Sequence, residues 1–289
     1  MCRVHFSESY LRFIHQVDLS HSDRSLIHGQ KIVHDSDADT LFFKNIASGS
    51  KGNCTLIWDR TDLIVIDLGV TMKKFRDSIR SLGLEGREIS LFISHEHSDH
   101  ISGVPITSKY IDMDVYLRPA LAGSFRRKTY EMDGSLVVGN FEVRAFEIPH
   151  DAADPIGFSV FWHDAKISVV SDLGKVTDRV IDGIRDSDIL AFESNHDVEM
   201  LRTGSYPEIL KRRILSDHGH LSNEQSAEAI AKVATEETRV ILTHLSQENN
   251  RPEIALNEVR SYLENRKIRY RSIETADQYA GSSLYSLER

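Results

Sequence analysis

The segment Ile89-Ser90-Leu91-Phe92-Ile93, followed at once by Ser94-His95-Glu96-His97-Ser98-Asp99-His100, constrains this chain more than any other. The first five residues are apolar and β-branched enough to read as a buried strand. The next seven include four metal-ligand types. In extended backbone the side chains at i, i+2 and i+4 point the same way, so His95, His97 and Asp99 are expected to converge on one side. His100 falls where the chain turns into the next helix. One segment then offers two imidazoles to one metal and a carboxylate plus an imidazole to a second. A close pair of ions turns water into a nucleophile at neutral pH, which points to hydrolysis. With 14 histidines in 289 residues, some are simply structural. Four ligand types ending one strand are not explained that way.

Around this segment, from Thr40 onward, short strands alternate densely with amphipathic helices. Leu41-Phe42-Phe43, 54–58 and 63–66 read as a three-stranded meander, with the turn-rich loop Ser48-Gly49-Ser50-Lys51-Gly52-Asn53 inside it. A helix over 73–82 closes at Gly83, a favourable C-terminal cap. Helices are expected near 101–110, 119–128, 176–185, 223–235 and 252–265. Further strands are expected at 114–117, 135–138, 141–148, 156–162, 166–170, 189–192, 239–243 and 269–273. This order predicts an α/β four-layer αββα sandwich: two mixed sheets packed together, helices outside. Residues 40–289 are read as one domain and 1–39 as an N-terminal extension, disordered or loosely packed. The extension's histidines (His5, His15, His21, His28, His34) are irregularly spaced and not expected to bind the metals.

Composition narrows the class. The chain carries 44 acidic against 35 basic residues, a net charge of −9, which argues against gripping a long polyanion over a broad surface. A nucleic acid held at a cationic metal site remains compatible, because bound ions add charge. Cys2 and Cys54 form no Cys-x-x-Cys motif, so no disulfide framework and a reducing, cytoplasmic setting are expected. No apolar run approaches the ~18 residues of a membrane span, and no signal-peptide core is present.

Further ligand types sit at the ends of expected strands: His150 after 141–149, Asp172 after 167–171, and His244 after 240–243. Strand ends on a rigid scaffold are where ligands are held. With His-x-His-x-Asp-His, this set resembles the metallo-β-lactamase-fold hydrolases over about residues 40–280. The resemblance implies two divalent ions, zinc or manganese, with His95, His97 and His150 on one. It places Asp99, His100 and His244 on the other, Asp172 bridging, and Asp67 of Asp67-Leu68-Gly69 supporting the ligand loop. The segments 47–54, 149–155, 193–197 and 215–223 are similar to the YycJ/WalJ (VicX) subfamily, which implies a phosphodiesterase acting on DNA from the 5′ end through a metal-bridging hydroxide. The extension before Thr40 departs from that subfamily's usual start.

In this reading Asp99 orients the nucleophile. Gly219-His220 resembles the corresponding element of ribonuclease Z, so His220 is expected to contact the scissile phosphate or assist the leaving oxygen, oriented by Glu193. Ser222 and Asn223, at the start of a helix, are expected to bind phosphate through the helix N-terminus. Asn53 and Ser50 are placed at the substrate entrance. Arg126-Arg127-Lys128 and Lys211-Arg212-Arg213 are short basic clusters of the kind that track a nucleic-acid backbone, although such runs are commonly solvated helix faces. DNA is the favoured partner over RNA, with no membrane. Oligomeric state is not legible. The alternatives are a thioesterase or lactonase with the same ions, and a catalytically silent metal-binding regulator. Gly219-His220-Leu221-Ser222 favours phosphate over a small ester.

Overall fold

The computed structural model describes residues 40–125 and 128–288. The extension assigned to 1–39, and Arg126 and Arg127 of the first basic cluster, lie outside the described residues.

The strands, in chain order, are β1 (Thr40–Ala47), β2 (Cys54–Trp58), β3 (Asp62–Ile66), β4 (Glu88–Phe92), β5 (Asp114–Leu117), β6 (Tyr130–Glu131), β7 (Ser135–Val138), β8 (Phe141–Glu147), β9 (Ile156–Trp162), β10 (Ala165–Val170), β11 (Ile189–Glu193), β12 (Arg239–Thr243), β13 (Ser272–Thr275) and β14 (Tyr285–Glu288). The α-helices are α1 (Met72–Ser81), α2 (Ser98–Ile101), α3 (Val104–Thr107), α4 (Asp178–Ile184), α5 (Val198–Thr203), α6 (Glu208–Ile214), α7 (Asn223–Val233) and α8 (Pro252–Asn265).

The strands form two sheets of seven, ordered β14-β1-β2-β3-β4-β5-β6 and β13-β12-β11-β10-β9-β8-β7. Both are mixed. In the first, β14 to β3 run antiparallel and β3 to β6 parallel. In the second, β7 to β10 are antiparallel and β10 to β13 parallel. The parallel halves are reached by crossovers that carry helices, and those helices cover the outer faces.

Period-two alternation divides the apolar residues among three layers. Phe43, Ile57, Ile64 and Phe92 meet Phe141, Phe158, Val160 and Ile241 between the sheets. Leu56, Val65 and Leu91 face Phe75 and Ile79 of α1. Val240 and Leu242 flank Ile241 in β12 but face the opposite way, against α4, α7 and α8. The expected αββα sandwich is therefore observed. Phe92 ties the two sheets: it stacks on Tyr116 at 4.7 Å and meets Phe158 edge-on at 5.9 Å. Truncating so buried a ring to Ala costs about 3–5 kcal/mol.

Local signals set most boundaries. Thr71 caps α1 by accepting from the Lys74 amide, and Gly83, at φ 69°, ends it in the left-handed region. The helix expected over 101–110 is instead two short pieces, α2 and α3. Gly103 stands between them, its amide donating to the Leu68 carbonyl at 2.9 Å instead of back along the helix, and a Cβ there would stand 2.0 Å from the Val70 carbonyl oxygen. The helix expected over 119–128 is a 3-10 helix, Pro119–Ser124. The short helices α5 and α6 and the strand β14 were not anticipated. The helices span too few turns to show a period, and β14 exists by pairing with β1 some 240 residues earlier (Thr40 opposite Glu288). Among the described residues no helix is long and apolar enough to cross a membrane.

Candidate metal centre

The strand β4 ends at Phe92, so His95 and His97 lie on an irregular segment and Asp99 and His100 on the first turn of α2. Asp99 therefore does not share the extended face of His95 and His97. The helical turn separates the ligands into two groups more sharply than a strand would. His95, His97 and His150 form one group of nitrogens within 4.8 Å of one another. Asp99, His100, Asp172 and His244 form a second within the same span.

Asp172 stands between them. Its Oδ2 is 3.0 Å from His100 Nε2, and its Oδ1 is 3.9 Å from His150 Nε2. All seven residues assigned as ligands are thus brought together, with Asp172 placed to serve both groups. The donor set fits two divalent cations on chemical grounds. His95 and His244 each bury an Nε2 that makes no hydrogen bond. Two carboxylates, Asp99 and Asp172, converge on the same imidazoles, so the site concentrates negative charge that a cation offsets.

The remaining ring nitrogens are held from behind. His100 Nδ1 donates to Asp67 Oδ2 at 2.7 Å, turning Nε2 toward the centre. Asp67 also accepts from the Ser94 amide and hydroxyl, both at 2.8 Å. His150 Nδ1 donates to the Gly219 carbonyl at 3.2 Å, and His244 Nδ1 donates to Glu193 Oε1 at 3.0 Å, while the His244 backbone amide is anchored on Ser48 Oγ at 2.7 Å. Such partners fix which nitrogen is presented. Asp67, Asp172 and His244 all have left-handed backbones, with φ of 59°, 58° and 55°. Strain of this kind persists only where surrounding contacts determine it. The Asp67-Leu68-Gly69 motif has a second use: a Cβ on Gly69 would lie 1.6 Å from the Asp99 carbonyl oxygen.

Charge distribution follows the same division. Burial pushes the pKa of His95 well down and that of His150 down, favouring neutral imidazole. His100 and His244 are also desolvated, but Asp67 and Asp172 beside the first, and Asp172, Asp99 and Glu193 beside the second, raise them well above the ordinary histidine value.

Glu193, the last residue of β11, is fully buried and accepts four hydrogen bonds. Oε1 takes His220 Nδ1 at 2.8 Å and His244 Nδ1 at 3.0 Å. Oε2 takes the amides of Leu173 and Leu221 at 3.0 and 3.1 Å. Burial works to raise its pKa, but the His220 charge and these hydrogen bonds bring it down to about 2. His220 is desolvated too, and Glu193 nevertheless raises its pKa above the ordinary value. The expected Glu193–His220 pair is present.

Other expected contacts are not. Ser222 Oγ caps α7 by accepting from Gln225, and Asn223 is fully buried, bonded to Ser194 and Asn250. Both side chains are engaged within the protein, and the Asn223 amide donates to the His196 carbonyl. Asn53 is also buried, its Nδ2 3.2 Å from Asp99 Oδ2 and 3.0 Å from His100 Nε2, so it supports ligands rather than lining an entrance. Ser50 is exposed on the same loop. Lys211 is buried against the Arg202 carbonyl, and Arg213 pairs with Asp151 at 2.5 Å. Sequence reading passed over Ser94, Ser48 and Glu96, whose carboxylate accepts from the Ala153 amide at 2.9 Å and ties the first ligand loop to the loop of His150. Ser94 and Glu96 lie inside the metal motif, and their hydrogen-bonding side chains were the available signal.

Residues 64–245 match the family model described as "Beta-lactamase superfamily domain". The chain is 36% identical over 236 residues to "Exodeoxyribonuclease YycJ" of Bacillus anthracis, spanning 78% of this chain and 89% of the relative. The chain belongs to the YycJ/WalJ subfamily of metallo-β-lactamase-fold proteins. Within that subfamily it is also 34% identical over 224 residues to "Exodeoxyribonuclease WalJ" of Streptococcus pneumoniae, spanning 73% of this chain and 83% of that one. The crystal structure of the metallo-β-lactamase-fold protein YhfI from Bacillus subtilis superposes with a TM-score of 0.64 at 13% identity, over 86% of this chain and all of that one, a likeness of fold. Family membership and the two ligand groups together make this subfamily member a hydrolase dependent on divalent metal.

Proposed function

We propose that this chain is a phosphodiesterase that cleaves DNA from the 5′ end, with residues 40–289 as its catalytic domain. The observation that carries the reading is the Glu193–His220 pair beside Asp172, with His220 Nδ1 3.7 Å from Asp172 Oδ1. Both curated relatives are named for exodeoxyribonuclease activity, which supports DNA as substrate. The imidazole and carboxylate donors suit zinc first and manganese second.

When bound, two divalent ions supply positive charge that lowers the pKa of water and offsets charge developing at phosphorus. His95, His97 and His150 would hold one, and Asp99, His100 and His244 the other, with Asp172 shared. Asp99 keeps 18% of its side chain exposed and accepts a hydrogen bond from the attacking water. His220, also 18% exposed, spends Nδ1 on Glu193 and so presents Nε2 to the leaving oxygen, to which it gives a proton. Glu193 holds that ring in orientation.

The test is hydrolysis of 5′-labelled single- and double-stranded DNA with zinc or manganese, beside a His97→Ala control. Metal-dependent release of nucleotides from the labelled end, absent in the variant, supports the reading. No cleavage by protein carrying two ions overturns it in favour of ester or thioester substrates.

A further inference from the structure

Beside the Asp99 edge of the metal centre, three loops bring Lys51, Gln247 and Tyr279 together at the surface. Lys51 is two residues from Asn53, whose Nδ2 meets Asp99 Oδ2. Gln247 follows His244 by three residues, so their Cα atoms are at most about 10 Å apart. Tyr279 occupies the turn after β13, where Asp277 Oδ1 accepts the amides of Tyr279 and Ala280, both at 2.7 Å. Gln278 Oε1 accepts the Lys51 amide at 3.3 Å, and Lys74 Nζ donates to the Tyr279 carbonyl. The turn is therefore docked on the loop that supports the ligands.

The Tyr279 hydroxyl is hydrogen-bonded to Lys51 Nζ at 3.2 Å, with the Gln247 side chain beside it. The ring is thus held at its tip while the residue remains 58% exposed. An aromatic face fixed at one end and open to solvent loses little freedom when a flat apolar group lies on it. The Lys51 ammonium stands 5.9 Å from the ring centroid, at a distance suited to a phosphate attached to that group. A nucleobase with its phosphate has this shape and charge, and stacking on an aromatic tolerates any base. In a chain of net charge −9, Lys51 and Lys74 supply local positive charge beside the centre.

We propose that Tyr279 is the platform on which a base of the substrate strand stacks, and that Lys51 binds the adjoining phosphate. The inference rests on the DNA phosphodiesterase reading and deepens it, since it makes the enzyme recognise a nucleotide rather than a bare phosphodiester.

The experiment compares a 5′-labelled oligodeoxynucleotide with the same strand made abasic over its first several positions. Tyr279→Ala raises KM about 5- to 150-fold on the base-bearing strand, with kcat retained and no change on the abasic strand. Tyr279→Trp restores the wild-type KM. Lys51→Gln raises KM on both strands alike and flattens the dependence on salt. An unchanged KM for Tyr279→Ala, or an equal loss on both strands, overturns the subsite while leaving the phosphodiesterase reading intact. A wild-type enzyme that cleaves neither strand overturns the phosphodiesterase reading itself, and the subsite with it.

Discussion

Glu193 Oε1 lies 3.0 Å from His244 Nδ1, so the carboxylate that orients His220 also orients an imidazole of the second candidate ligand group. Replacing either partner of the Glu193–His220 pair therefore has different consequences. His220→Ala lowers kcat by about 10²–10⁴-fold and leaves metal content unchanged. Glu193→Gln lowers kcat and also weakens metal binding about 10- to 100-fold. Its amide would set a donor against a donor, either His220 and His244 or the Leu173 and Leu221 amides. Steady-state kinetics with metal analysis of both variants decides the point. Metal loss in His220→Ala would contradict its assignment.

Asp67 is buried and holds His100 from behind. Asp67→Ala is expected to weaken the ion at Asp99, His100 and His244 by about 10- to 100-fold, and the His95, His97 and His150 group much less. Titration of metal-stripped protein by calorimetry, beside wild type, would show one binding event weakened and the other little changed. Equal weakening of both would show that Asp67 stabilises the whole loop rather than one ligand.

Gly69→Ala removes no ligand residue yet drives a Cβ to 1.6 Å from the Asp99 carbonyl oxygen. Overpacking of this kind costs about 1–3 kcal/mol, and here relief requires the ligand loop to move. The expected outcome is a folded protein with reduced metal content and at least tenfold lower activity. Full activity would mean that the loop tolerates displacement.

At the far end of the sandwich Asp59 joins the two sheets. Its Oδ2 accepts from Trp162 Nε1 at 3.1 Å and Asn140 Nδ2 at 2.8 Å, and its Oδ1 from the amides of Thr61 and Asp62. Burial raises its pKa, but these donors outweigh burial and hold it below the ordinary carboxylate value. A depressed folded pKa contributes stability that is fully present above the unfolded value, about 3.9, and is lost as pH falls through the folded one. Asp59→Asn turns a donor toward donors and is expected to lower stability by about 1–3 kcal/mol at pH 7. The gap to wild type holds down to about pH 4 and narrows below it. Urea denaturation across that range tests the sign; a gap that widens in acid would refute it.

The two candidate ligand groups were readable in sequence because their members are placed by local events. His150, Asp172 and His244 each lie within one to three residues of the end of an apolar strand, and strand ends in such a sandwich converge on one rim. Short apolar, β-branched runs are local as well, so the strands other than β6 and β14 were legible from them. Only the tertiary structure could assign the polar side chains behind the ligands. Ser222 and Asn223 look like phosphate contacts in sequence. They are buried in a capping box and an asparagine network, because α7 turns its first residues inward against β11. Asp59 meets Trp162 across 103 residues, and Tyr279 meets Lys51 across 228. A hydrogen bond needs its two atoms within about 3 Å, and over such separations the stacking of the sheets and the docking of their loops, not the local pattern, set that distance.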